Sequence, residues 1–208
     1  MQADFSQETN VSKLNKLLSQ NGGFITRTQV DKNNISSWFL TDFVRKNNLE
    51  KLAPGFYAKT DWIPDDFFIF QYQYPKFIFS YESALYLLNL TDTLSQSIEV
   101  TGPKNYRPFN TKNSAVIVHT DYKKETYELG ITQIKTNLGN NVQVYNAEKT
   151  ICDLIRHSQK IDSENYTKSL HNYAKLKDKN ISRLIEYSKI MGIEKKVSEI
   201  MMVVLNES

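Results

Sequence analysis

Scarcity marks this chain before any motif does. It holds one cysteine, Cys152, in 208 residues, which excludes an internal disulfide framework and fits a reducing cytoplasm. Seven glycines and five prolines leave little room for long linkers. Three histidines, His119, His157 and His171, are scattered along the chain, and no His/Cys/Asp cluster has the spacing of metal ligands, so no metal and no cofactor is expected. There is neither a P-loop nor a dinucleotide fingerprint. The longest apolar runs, around Phe67–Phe70 and Met201–Leu205, fall far short of the roughly 20 residues that span a bilayer. The opening Met1-Gln2-Ala3-Asp4-Phe5 has no basic stretch leading into an apolar run, so no secretory leader and a cytoplasmic location are expected.

The remaining composition is globular. A 40% hydrophobic fraction supplies the apolar surface that disordered chains lack, and the length allows one large domain or two small ones. Charge separates the two possibilities. Residues 1–60 carry eight Lys/Arg against five Asp/Glu, whereas residues 61–208 carry eighteen of each. The whole net charge of +3 therefore sits on the first segment. Charge concentrated on a small module gives a phosphate-binding footprint that evenly spread charge does not.

Within that segment, Val11, Leu14, Leu17 and Leu18 recur at helical spacing, and Asn21-Gly22-Gly23 ends the helix. Phe24-Ile25 returns to the core, and Thr26 is placed to cap a short helix, Arg27–Lys32. After the polar break Asn33-Asn34, a third helix is expected from about Ser36 to Lys46. Ile35, Leu40, Phe43 and Val44 form its inward stripe, with Ser37, Thr41 and Arg45 opposite. Leu49–Leu52 and Phe56–Lys59 around Ala53-Pro54-Gly55 read as a hairpin. Three helices followed by a hairpin are the order of a winged helix-turn-helix, whose third helix enters the major groove of DNA.

The candidate DNA-binding residues follow from chemistry. Arg45 is suited to guanine O6/N7 or to phosphate, and Ser36, Ser37 and Thr41 are short groups suited to close approach. Arg27 and Thr28 open the second helix, where free N–H groups can hold a phosphate. Lys46 ends the third helix, and Lys51 and Lys59 flank the wing. Trp38 either plugs the interface between helices or lies against the sugar-phosphate backbone. Asp42 is a counter-signal, since DNA repels a carboxylate unless it accepts from cytosine. The bland alternatives stand beside this: winged helices also bind proteins, and exposed Lys and Arg are often only solvated.

Residues 61–208 read as a mixed α/β domain with a helical tail. Pro64–Tyr74 is expected as a helix packing the two domains together, and Ser80 as the N-cap of a helix over Glu82–Asn89. Strands are expected at Ser97–Thr101, Ala115–His119, Glu125–Lys135 and Asn141–Val144, with a tight turn at Gly139-Asn140-Asn141. Glu148–His157 is a helix with Ile151, Leu154 and Ile155 inward, and further helices cover about 163–177, 180–191 and 194–205. The loop Gly102–Arg107 offers Lys104, Tyr106 and Arg107 as a possible second surface for nucleic acid or a partner, or as a plain surface turn.

Three stretches resemble one family. Gly23-Phe24-Ile25-Thr26-Arg27 with Ile35, Leu40, Val44, Leu49, Leu52 and Gly55-Phe56-Tyr57-Ala58 is similar to the N-terminal domain of AbiEi-type antitoxins. Phe79–Leu90 resembles that family's S-x-x-S-A-L-x-x-L-x-L segment, and Val144–Leu154 its E-R/K-T-L/I-x-D-L/I helix. The resemblance covers residues 10 to about 157. It implies an antitoxin and transcriptional repressor of a bacterial abortive-infection operon, of the type IV class, with a role in phage defence. Such proteins bind double-stranded DNA at inverted repeats in their own promoter, and counteract a nucleotidyltransferase-like toxin without needing a stable complex. Residues 1–60 would then be the DNA-binding domain and 61–208 the antitoxin domain.

Nothing in the residues argues for catalysis. Glu148 and Asp153 are the most enzyme-like carboxylates, yet a helix start explains Glu148, and Asp153 can bond nearby backbone or pair with Arg156. Cys152 and His157 fall on different faces of one helix, and Cys152 reads as a small core residue. The competing functions are a ligand-responsive winged-helix transcription factor and a nucleic-acid-processing enzyme.

Overall fold

The computed structural model describes residues 9–107, 115–121 and 123–207, so the opening Met1-Gln2-Ala3-Asp4-Phe5 lies outside the described residues. The chain divides into two units, residues 1–69 and 70–208. The first unit runs past residue 60 for an aromatic reason. Trp62 and Phe68 pack on Phe24 and Phe56, with ring centroids 5.3 to 5.9 Å apart.

The N-terminal unit is built from α1 (Asn10–Gln20), β1 (Phe24–Thr26), α2 (Arg27–Lys32), α3 (Ser37–Lys46), β2 (Glu50–Ala53) and β3 (Phe56–Ala58). Its core gathers Leu14, Leu18, Ile25, Val30, Ile35, Leu40, Phe43 and Leu49, with Leu17, Val44 and Tyr57 against them. Val11, expected on the inward stripe, lies in the first turn of α1 and stays exposed. The strands form an antiparallel sheet in the order β1-β3-β2. Pro54-Gly55 closes the β2–β3 hairpin. Gly55 at φ 75° takes the left-handed position that a Pro-Gly turn requires. Helices, a turn at Asn33-Asn34 and this hairpin reproduce the winged helix-turn-helix order.

Helix α4 (Asp66–Gln73) spans the junction of the units. The second unit continues with β4 (Ile78–Phe79), α5 (Tyr81–Leu87), β5 (Ile98–Pro103), β6 (Val116–Asp121), α6 (Lys124–Glu128), β7 (Ile131–Lys135) and β8 (Asn141–Tyr145). Helices α7 (Ala147–Arg156), α8 (Ser163–Lys175), α9 (Ile181–Ile190) and α10 (Glu194–Asn206) complete it. Its mixed sheet has the order β6-β5-β4-β8-β7. Two expectations need correction. Glu125–Lys135 is not one strand: Asp121 accepts from the Thr126 hydroxyl at 2.6 Å and the Lys123 N–H at 3.1 Å, which starts helix α6 instead. Ser80 is the N-cap of α5 by position, but its hydroxyl makes no capping bond and accepts from Thr101 Oγ1 at 2.9 Å.

Helix α7 is the hub of the second unit. Ile151, Cys152, Leu154 and Ile155 are buried and join one core with Leu170, Tyr173, Leu184, Val197, Met201 and Val204 from the helical tail. Burial pushes the Cys152 thiol up to about 12, so it stays protonated and packs as a small apolar group. Glu148, Lys149, Thr150 and Asp153 of the same helix are buried too. Glu148 accepts from the Asn180 N–H at 3.0 Å, next to the start of α9. The partner of Asp153 is Lys149, at 2.7 Å, rather than Arg156, because Lys149 is buried with it whereas Arg156 is exposed. Burial raises the Asp153 carboxyl and opposes the pull of Lys149. The ammonium also lies 4.5 Å from the Tyr145 ring centroid.

A buried pair of this kind costs more to break than to replace as a whole. Lys149→Met is expected to lower unfolding free energy by about 3–5 kcal/mol, because it strands a buried carboxylate. The double variant K149M/D153L is expected to recover most of that loss in urea denaturation. A single variant as stable as the parent would contradict the burial argument.

Candidate nucleic-acid interface

The side of α3 away from the core carries Ser36, Ser37, Trp38, Phe39, Thr41, Arg45 and Lys46, all exposed. Leu40 and Phe43 fix the rotation of the helix by burying the opposite stripe, each worth about 2 kcal/mol of transfer free energy. Ser36 is the N-cap, and its hydroxyl makes no capping bond to the helix. Thr41 donates to the Ser37 carbonyl at 2.9 Å, which leaves its oxygen lone pairs outward. Trp38 is 68% exposed and meets Phe39, 37% exposed, edge to face at 5.0 Å. Of its two sequence readings, the plug between helices is excluded. Phe39 was not singled out in the sequence, although its place beside Trp38 in the first turn of the helix was legible there.

The cations of α3 are not free. Arg45 donates to Asp42 Oδ1 at 2.9 Å, and Lys46 lies 2.8 Å from Asp42 Oδ2. The Lys46 bond, with Arg45 beside it, holds the Asp42 carboxyl below its ordinary value. The carboxylate that looked like a deterrent to DNA is therefore the acceptor that positions both cations, and it offsets one of their charges. Arg27 is similarly paired with Asp31, at 2.8 Å, while Thr28 is exposed beside it. Lys51 and Lys59, on the wing, have no ion-pair partner among the described residues.

The framework holding these groups is specific. Thr26 caps α2 through a capping box with Gln29, and Gln29 also exchanges bonds of 3.0 and 3.1 Å with Asn21, the C-cap of α1. The Arg27 N–H donates to the Gly55 carbonyl at 2.7 Å, so the wing turn is tied to the first residue of α2.

The second proposed surface is less open than its sequence suggested. Lys104 is exposed, but the Tyr106 ring lies 4.9 Å from that of Phe77, and Arg107 reaches the Thr120 hydroxyl at 3.4 Å. Gly102 has no room for a side chain, since a Cβ there would sit 2.4 Å from the Phe77 ring. The histidines are not all scattered in space. The Tyr81 ring lies tilted against His119, centroids 3.9 Å apart, and its hydroxyl lies 3.2 Å from His157 Nδ1. Strand β6 and the C-cap of helix α7 bring the two imidazoles to the same tyrosine, a meeting no local spacing encodes.

Residues 12–58 match a family described as transcriptional regulator, AbiEi antitoxin. No curated protein matches the chain. Among solved structures, the RV2827C protein from Mycobacterium tuberculosis is similar, with a TM-score of 0.58 at 13% identity, over 96% of this chain and 78% of that one. Identity that low carries the fold alone. No helix among the described residues is long and apolar enough to cross a membrane.

The Asp42 pairings generate a direct expectation. Asp42→Asn releases both cations, so duplex affinity at low salt rises and the salt dependence steepens by about one counterion for each phosphate newly neutralised. Fluorescence-anisotropy titrations over a salt series measure both; an unchanged slope means that Arg45 and Lys46 stay away from phosphate.

Proposed function

From the premise that residues 12–58 carry the sequence of the AbiEi antitoxin family of transcriptional regulators, we propose that this chain is an antitoxin and autorepressor of its own operon. In this reading the winged helix binds inverted repeats in the promoter. The rest of the chain counteracts a nucleotidyltransferase-like toxin in the cytoplasm, as a type IV, abortive-infection pair acting in phage defence. The antitoxin half works without making or breaking covalent bonds and does not require a stable complex.

The observation that carries the DNA half is the outer face of α3, where hydroxyls, an exposed indole and two carboxylate-held cations share one helix. Thr41 and Arg45 are assigned to base edges, with Ser36 and Ser37 at the entry of the helix. Trp38 is assigned to the sugar-phosphate backbone, and Lys46 to phosphate. Arg27 and Thr28 are assigned to a phosphate at the start of α2, and Lys51 and Lys59 to the flanking backbone. The non-enzymatic reading of the second unit is supported by its two candidate carboxylates. Glu148 holds the start of α9 and Asp153 holds Lys149, both buried in structural roles.

Mobility-shift titration against the upstream region of the gene tests the repressor half. The parent is expected to bind selectively and with strong salt dependence. The T41A/R45A variant keeps weak binding but loses selectivity, by about 1–3 kcal/mol per base recognised. The K51A/K59A variant weakens binding to all sequences alike and flattens the salt slope by about one for each phosphate left unneutralised. Binding indifferent to sequence in the parent, or none at low salt, removes the repressor half. Co-expression with the neighbouring gene product tests the other half, and failure to restore growth removes it.

A further inference from the structure

A cleft of about 590 Å³ opens in the second unit beside β6, the start of α5 and the later turns of α7. That volume is typical of small-molecule sites and far larger than a lone inorganic anion needs. Hydrogen bonds already engage the other charged groups at the cleft. Lys149 and Asp153 satisfy one another, and His119 Nε2 lies 2.9 Å from Glu99 Oε2. Asp121 is occupied by the Thr126 hydroxyl and the Lys123 N–H.

Two cations stand without an ion pair among the described residues. The side chains of Lys123 and Arg156, both exposed, line the same cleft, and neither has a carboxylate within 4.0 Å among the described residues. Val118, Ile190 and Met191 supply apolar wall. Between them stands Tyr81, a bulky residue held at φ 50°. A non-glycine residue in that left-handed region costs about 1–3 kcal/mol and persists where its surroundings fix it, often at binding sites. In this conformation the phenol lies against both His119 and His157.

We propose that this cleft binds a small organic phosphate of about the size of a nucleotide. Lys123 and Arg156 take the phosphate, and Val118, Ile190 and Met191 take the organic part. The site lies wholly in the second unit and does not depend on the DNA reading.

The test uses the full chain, titrated with AMP, GMP, CMP and UMP and with inorganic phosphate as control. Calorimetry gives affinity. The imidazole proton signals give location, because His119 and His157 line the cleft while His171, the remaining histidine, does not. Saturable binding of at least one nucleotide is expected, tighter than phosphate, shifting the His119 and His157 signals and leaving His171 unmoved. K123A/R156A is expected to weaken it by about tenfold or more, as charge-assisted hydrogen bonds are lost. No saturable binding by any probe overturns the proposal, as does binding that moves His171 alone or is undiminished in the double variant. Phosphate binding as tightly as every nucleotide overturns the organic part.

Discussion

The N-terminal unit turns on Thr26. It ends β1, caps α2 and pairs in register with Phe56 of the wing, while the next residue donates to the carbonyl of the wing turn. Its box partner Gln29 reaches back to the C-cap of α1. One capped residue thus couples α1, α2 and the hairpin. An N-cap of this kind is worth about 1 kcal/mol in isolation. Its consequence is larger, because α2 leads through the Asn33-Asn34 turn into α3, and a helix misplaced by an ångström no longer presents its side chains at base-pair spacing. Fold stability and recognition geometry therefore share one hydrogen-bond network.

Electrostatics on this framework is restrained rather than strong. Asp42 and Asp31 each hold basic neighbours in fixed positions, which sacrifices long-range attraction for orientation. A surface with few unpaired cations depends more on short-range contacts, and the exposed Trp38–Phe39 pair supplies apolar area for them. The second unit uses charge the opposite way. It buries Lys149, Asp153 and Glu148 in α7, where loss of either member of the Lys149–Asp153 pair strands the other.

Local structure was legible wherever the signal was local. The α2 cap at Thr26, the inward stripe Leu40/Phe43 and the Pro54-Gly55 turn all lie within a few residues of what they control. The failures are non-local or competing. Strand β4 is two residues long and exists through its partners β5 and β8. Thr126 and Tyr127 are residue types common in strands, yet Asp121 and Thr126 recruit the stretch 124–128 into a helix. Asp153 had two cations within helical reach, and only burial, invisible in one sequence, chooses Lys149. The cleft that joins Tyr81, His119 and His157 is assembled across long sequence separations for the same reason.

If α3 lies against a duplex, Trp38 reports on it directly. The chain has two tryptophans, Trp38 on the outer face of α3 and Trp62 in the aromatic cluster with Phe24 and Phe56. In a Trp62→Phe variant, acrylamide quenching of Trp38 fluorescence should be strong in the free protein and sharply reduced by duplex from the upstream region. Quenching unchanged at saturating duplex, with binding confirmed by anisotropy, would place the DNA elsewhere and end the assignment of α3.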